Sequence, residues 1–344
     1  MAQGTTAEST TAQSTTAQGT MADGTTTTGT TTTGTTTTGT TTTSDRLVVG
    51  DVMVSRVVES VGSIGMNPSQ FFPGTDPSAW NGHESELRPY FLQDDGATTM
   101  ESTSRVAMQT WIIRSAGRTI LLDAAVGNDK DRPDVPSWSH LRTAYLDDLA
   151  AAGITPADVD VVVNTHLHAD HVGWNTRLVD GSWVPTFPNA EYLMPAEDLA
   201  FWDPENGNET VMGPGAHGVW ADSIAPVLAA GQVTAWSGSH RIDDALTLEA
   251  APGHTPGASI VRLASGGDEV LFVGDSLHSP AQVVDVHTSS CFDEDPAQAH
   301  RTRDRLFTEA ADRGLLLLPA HFGGHGGFRV AKDGDGFRIV GWAG

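Results

Sequence analysis

The chain has 344 residues, with 19 Lys and Arg against 43 Asp and Glu, a formal net charge of -24. That balance disfavours nucleic acid and anionic membrane surfaces, where binding depends on neutralising phosphates. A single cysteine, Cys291, excludes an internal disulfide framework and a thiolate-rich zinc site, and the length allows two units or one large layered domain.

Residues 1–45 are mostly Thr, Gly, Ala, Ser and Gln, with repeated Thr-Thr-Thr-Thr-Gly units and no Lys or Arg. Such a segment cannot bury enough apolar surface to offset the entropy of ordering it, so it is expected to be a disordered low-complexity tail. It has neither a positive n-region nor an apolar h-region and does not read as a secretory signal; a glycosylated stalk, or a true start at Met21 or later, are the other readings. No later stretch is apolar enough to span a bilayer. A cytoplasmic location is expected.

The Val-rich run 47–61 suits a strand. Residues 62–96 combine Pro and Gly with Phe71, Phe72, Trp80, Tyr90 and Phe91, the composition of either a substrate-covering lid or a packed surface loop. The runs 106–113 and 119–122 flank a hairpin turn at 115–118, and Asp123 follows the second strand, as an acceptor behind a metal site or as a cap of the next turn. Helical spacing covers 139–152, with Gly153 as a stop.

The apolar run 159–163 then enters Asn164-Thr165-His166-Leu167-His168-Ala169-Asp170-His171-Val172-Gly173-Trp174. Residues two apart in extended backbone share a side, so His166 and His168 can meet one cation, while Asp170 and His171 face a second position as the chain turns. A structural zinc site or a surface histidine patch would also give such a cluster.

Beyond it, 190–194 reads as a strand, 195–203 as a helix, 206–218 as an irregular stretch with a solvated His217, and 221–230 as a helix bent at Pro226. The strand 245–250 leads into Pro252-Gly253-His254-Thr255-Pro256-Gly257, a rigid loop around one histidine. A hairpin from 260–263 and 270–273 ends in Gly274-Asp275-Ser276; the helix 296–313 and the buried strand 315–318 follow, and the latter ends in Pro319-Ala320-His321. His or Asp thus stands just past four apolar runs, and four strand ends can converge on one edge of a layered core.

The His-X-His-X-Asp-His block, the Gly253-His254 loop, Gly274-Asp275, Ala320-His321 and the strand-end Asp123 together resemble the metallo-β-lactamase-fold hydrolase superfamily. The resemblance implies an α+β four-layer αββα sandwich forming one catalytic domain over 46–344. It implies His166, His168 and His254 on one metal, Asp170, His171 and His321 on another, and Asp275 bridging two Zn2+ per chain, with other divalent metals able to substitute. Residues 165–174 and 274–280 are most similar to the branch of methyl parathion hydrolase and the acyl-homoserine lactonases. Those lactonases carry a tyrosine shortly after the bridging aspartate; His278 stands there in this chain, as a hydrogen-bond donor, a proton shuttle or a purely structural residue. Asp275 argues against the true β-lactamases, whose sites lack that carboxylate.

The expected activity is therefore hydrolysis of a lactone or ester by a metal-bridging hydroxide, with Asp170 and His278 as the catalytic side chains. Phosphotriester hydrolysis is the nearest alternative, and an iron-dependent oxidoreductase of the same fold is the alternative from another class. The expected partner is a small-molecule ester, lactone or phosphotriester, with no nucleic acid or membrane, and a homodimer is allowed. Phe71, Phe72, Trp80, Trp174 and Trp183 hint at an apolar substrate.

Overall fold

The computed structural model describes residues 46–344 apart from Pro89, Asp94, Asp95, residues 214–217, His325 and Gly344. The expected tail over 1–45 and His217 lie outside the described residues. Strand β1 (Leu47–Val49) turns at Gly50-Asp51 into β2 (Val52–Ser63), so the run 47–61 is a hairpin and not one strand. β3 (Arg105–Ser115) and β4 (Arg118–Leu122) form the expected hairpin. They are followed by β5 (Val161–Val163), a separate hairpin of β6 (Thr176–Val179) and β7 (Ser182–Pro185), β8 (Glu191–Pro195) and β9 (Val233–Trp236). The first sheet runs β1-β2-β3-β4-β5-β8-β9, antiparallel up to β4 and parallel beyond it.

The second sheet takes its strands in chain order: β10 (Ser239–Arg241), β11 (Leu246–Ala250), β12 (Ser259–Ser265), β13 (Asp268–Gly274), β14 (Leu316–Pro319), β15 (Phe328–Asp333) and β16 (Gly336–Trp342). All its pairs are antiparallel except β13 with β14, which the helix Pro296–Arg313 connects as a parallel crossover.

Side chains two apart decide the layers. Ile120, Leu122, Val161 and Val163 meet Leu246, Leu248, Phe272, Leu316 and Leu318 in the core between the sheets. The intervening Leu121 and Val162 point the other way, onto Tyr145 and Leu149 of the helix Tyr145–Ala151. Leu271 and Leu317 likewise meet Leu306 and Phe307 of the helix Pro296–Arg313. Both faces of each sheet are therefore covered, which is why runs such as 315–318 lack polar alternation. The result is the expected four-layer α+β sandwich.

Several elements differ from their expected bounds. Residues 139–144 are irregular, because His140 adopts a positive φ and the Asn128 side chain bridges the Thr143 N–H and C=O; only Tyr145–Ala151 is helical. The 221–230 helix opens with a π-turn, Trp220–Ile224, before Ala225–Ala229, where Pro226 has no N–H to give. The segment 62–96 contains the short turns Pro68–Phe71, Pro77–Trp80 and Glu84–Leu87 and packs Phe71, Phe72, Trp80 and Phe91 against Val106 and Met108 of β3. Among the described residues no helix is long and apolar enough to cross a membrane.

One buried ammonium gives a pH-dependent stability. Burial pushes Lys130 down to about 7 from 10.5, against the attraction of Asp222 and with the repulsion of Arg132. Between these values the unfolded chain binds a proton that the folded chain does not, so stability rises with pH across that window and levels off below it. The free energy of unfolding of wild type minus that of Lys130→Met is expected to rise on the order of 4 kcal/mol from pH 7 to pH 10.5. Urea titrations at three pH values check this, and a flat difference would contradict it.

Candidate metal centre

The ends of four strands carry the predicted residues to one place. β4 stops before Asp123, β5 before the His166–His171 turn, β13 before Asp275 and β14 before His321, and all four lie at the same edge of the sandwich. Asp275 is the hub. Its Oδ2 lies 3.8 Å from His166 Nε2, 3.3 Å from His171 Nε2, 3.4 Å from His254 Nε2, 3.2 Å from His278 Nε2 and 3.1 Å from His321 Nε2.

Two groupings match the expected division. His166, His168 and His254 bring one ligand atom each within 4.8 Å of one another, as do Asp170, His171 and His321. Asp275 joins His166 and His171 in a third group and His254 and His278 in a fourth, so its carboxylate touches both halves. His278 is the residue whose place the sequence left open: it is buried, its ring stacks parallel to His321 at 5.7 Å, and Phe71 meets it edge-on.

The charge state suits a cation. Burial pushes His166 and His168 well below the usual imidazole range, helped by the neighbouring histidines, and burial also lowers His278. Burial pulls His171 and His321 down as well, but Asp275 together with Asp123 or Asp170 outweighs it and raises both. Asp275 is held well below the carboxylate range by His171, His321 and His278, in spite of its burial. His166, His168 and His278 are thus held neutral beside an ionised carboxylate, the form in which such groups ligate metal, while His171 and His321 would give up a proton when a cation binds. His166 Nε2, His168 Nε2, His171 Nε2 and Asp275 Oδ1 are also buried with no hydrogen-bond partner, a costly arrangement in a core unless something binds them. The donor set thus fits divalent metal.

Behind the candidate ligands stand acceptors that orient them. Asp123, at positive φ past β4, takes the N–H and hydroxyl of Thr165 and lies 3.0 Å from His171 Nδ1. His321 Nδ1 faces Ala107 O at 3.0 Å. Three buried acids were not singled out by the sequence. Asp293 lies 3.0 Å from His254 Nδ1, with Arg303 of the long helix 3.7 Å behind it. Asp198 accepts from Leu167 N, Thr255 Oγ1 and Gly257 N, tying the two histidine loops together. Glu59, turned out of β2 by a register shift between Val58 and Ser60, accepts from Val126 N, Gly127 N and Trp174 Nε1.

A cavity of about 360 Å³ opens over these histidines and aspartates. His168, Asp170, His254, Asp275, His278 and His321 form its polar floor, and the walls are apolar, from Ile64, Met66, Phe71, Val106, Met108, Val135, Trp138, Met212 and Phe292, except for the Asp134 carboxylate. Among the described residues no Lys or Arg lines it. Of the aromatics expected to face a substrate, only Phe71 does so. Phe72 and Trp80 pack beneath it, Trp174 stacks on Tyr145, and Trp183 covers the Lys130 ammonium; each fills core or surface volume instead.

The profile of the family described as "Metallo-beta-lactamase superfamily" matches residues 107–321. A hydroxyacylglutathione hydrolase of Aeromonas salmonicida (strain A449) is 30% identical over 176 residues, 51% of this chain and 52% of that protein. A metallo-beta-lactamase domain-containing protein 1 of Rattus norvegicus is 28% identical over 199 residues, 56% of this chain and 60% of its own. The chain thus spans little more than half the length of these curated relatives. Among solved structures, hydrolase AbOPH of the beta lactamase superfamily superposes with a TM-score of 0.70 at 24% identity, covering 86% of this chain and 96% of the other. AidC, a dizinc quorum-quenching lactonase in complex with a product, does so with a TM-score of 0.65 at 18% identity and the same coverage. These two likenesses establish the shared fold.

Proposed function

Because this chain belongs to the metallo-beta-lactamase superfamily, we propose that it is a metal-dependent hydrolase of uncharged lactones or esters, active with two zinc ions. The observation that carries the reading is the Asp275 carboxylate, ringed by five imidazole nitrogens at the floor of an apolar cavity. His166, His168 and His254 would hold one ion, Asp170, His171 and His321 the other, and Asp275 both. When bound, such a pair supplies hydroxide at neutral pH and positive charge opposite a developing oxyanion.

The side chains do the rest. Asp170 lines the cavity with Oδ2 3.5 Å from His321 Nε2, so it can accept a proton at that oxygen and return it to the departing alkoxide. His278 borders the cavity beside Asp275 and donates a hydrogen bond to the substrate carbonyl oxygen. The apolar walls exclude bulk water and bind the hydrocarbon part of the substrate. A glutathione thioester, suggested by the name of the Aeromonas relative, carries carboxylates that the described lining has no cation to meet, which places it behind neutral substrates. The lone cysteine and the absence of an apolar spanning helix among the described residues are compatible with a cytoplasmic location, which we adopt as part of this reading.

The test is a hydrolysis screen over lactones, aryl esters, phosphotriesters and a glutathione thioester, with wild type and His168→Ala and with metal analysis of the purified protein. Turnover of a neutral lactone or ester, lost about a thousandfold in the variant, is expected. Preference for phosphotriesters would move the assignment to phosphorus. Bound iron with thiol-dependent oxygen uptake, and no hydrolysis, would replace it with the redox reading.

A further inference from the structure

Residues 130–140 form a closed loop whose neck is the bond from His140 N to Lys130 O, 2.7 Å, and whose tip carries Val135 and Trp138 to the cavity wall. Pro133, Pro136 and Ser137 are exposed, as is Asp134, which also borders the cavity, so among the described residues no layer covers the tip from the solvent side. Two buried basic side chains hold it from below. The Arg132 guanidinium makes a two-pronged pair with the Asp222 carboxylate, at 2.6 and 2.9 Å, and Arg132 is fully buried. The Lys130 ammonium donates to Thr176 Oγ1 at 2.6 Å and to Asp222 O at 3.0 Å beneath the Trp183 ring. From Arg132 the geometry passes to the wall through the backbone: Val135 N donates to Arg132 O, and Trp138 N to Val135 O.

We propose that the Arg132–Asp222 pair is a positioning device for substrate specificity, fixing Val135 and Trp138 so that the cavity accepts a substrate with a bulky apolar substituent. This rests on the hydrolase reading above. A paired guanidinium and carboxylate have one favoured geometry, so the pair fixes the loop in a way an apolar contact between flexible side chains would not. Neither residue touches the cavity. The pair should therefore act on binding of the substituent and not on the bond that breaks.

The experiment compares wild type, Asp222→Asn and Trp138→Ala on γ-lactones bearing alkyl chains of increasing length, with hydrogen exchange of residues 130–140. Asp222→Asn is expected to raise KM for the long-chain lactones about tenfold, to leave kcat/KM for unsubstituted γ-butyrolactone within about twofold, and to speed exchange across the loop. Trp138→Ala is expected to show the same rise in KM for long chains with exchange at the loop neck unchanged. An equal loss on all lactones in Asp222→Asn, or an unaltered chain-length profile, overturns the proposal. If wild type hydrolyses no lactone, the hydrolase reading fails separately; exchange still tests the anchor, and unchanged protection in Asp222→Asn overturns that too.

Discussion

Asp275→Asn is expected to lower turnover by at least about a thousandfold, a loss of some 4 kcal/mol, within the several that a metal supplies to a hydrolytic transition state. The amide keeps the size of the carboxylate and removes its charge, and its nitrogen has no lone pair to offer a cation. Five imidazole nitrogens lie within 3.8 Å of the oxygen concerned, so both groups of ligands lose their shared anion at once. In the proposed centre, two dications held side by side would then repel each other with nothing between them.

A second readout separates this from a folding defect. Zinc at a hundred times its dissociation constant stabilises a folded protein by about 2.7 kcal/mol, and the variant is expected to lose most of that gain. With chelator present, wild type and variant should unfold within a few degrees of each other. His171 and His321 are held up by Asp275, and without it they can relax to the neutral form at little cost. Unaltered turnover would contradict the proposed site. A large drop in Tm under chelator would make Asp275 a structural hub instead.

Much of this centre was legible in the chain because strand ends advertise themselves. An apolar run that stops at a His or Asp puts that side chain at the sheet edge, and the runs before His166, Asp275 and His321 all did so. The supporting acids carry no such mark. Asp293 lies in an irregular stretch before a helix, Asp198 reads as an ordinary acid in a first helical turn, and Glu59 interrupts a strand pattern only by one register shift. Asp293 lies 39 residues from its partner His254, and the partners of Asp198 and Glu59 in the site's loops are 31 to 59 and 67 to 115 residues away, distances that no local period encodes. Short strands fared similarly. β6, β7, β9 and β10 have three or four residues each, too few for alternation to show, while β15 and β16 pair around a turn beyond the last ligand. The aromatic residues misled for another reason: bulk fits a core as well as a cavity, and only the tertiary contacts of Trp174 and Trp183 decide between them.

Gly253→Ala is expected to destabilise the fold by about 2–6 kcal/mol, a large share of the 5–15 kcal/mol that keeps a domain folded. Two causes add. The residue has φ +135, a conformation that costs a side chain about 1–3 kcal/mol. A Cβ there would also lie 2.2 Å from Ala299 N and 2.4 Å from Ala299 Cα, and overpacking costs about 1–3 kcal/mol more when neighbours must shift. The obstacle is backbone at the start of the helix Pro296–Arg313, so no rotamer change relieves it. This close approach is what lets Asp295 N reach Gly253 O and Asp293 reach His254 Nδ1, so the variant should lose zinc affinity as well as stability. Gly181→Ala is the control: φ +79 with open space around the position leaves the conformational cost alone, about 1–2 kcal/mol, with the metal site untouched. Urea midpoints and zinc titrations of both variants check the pair. Equal destabilisation in the two would mean that the contact with the helix contributes nothing and that His254 is placed by its loop alone.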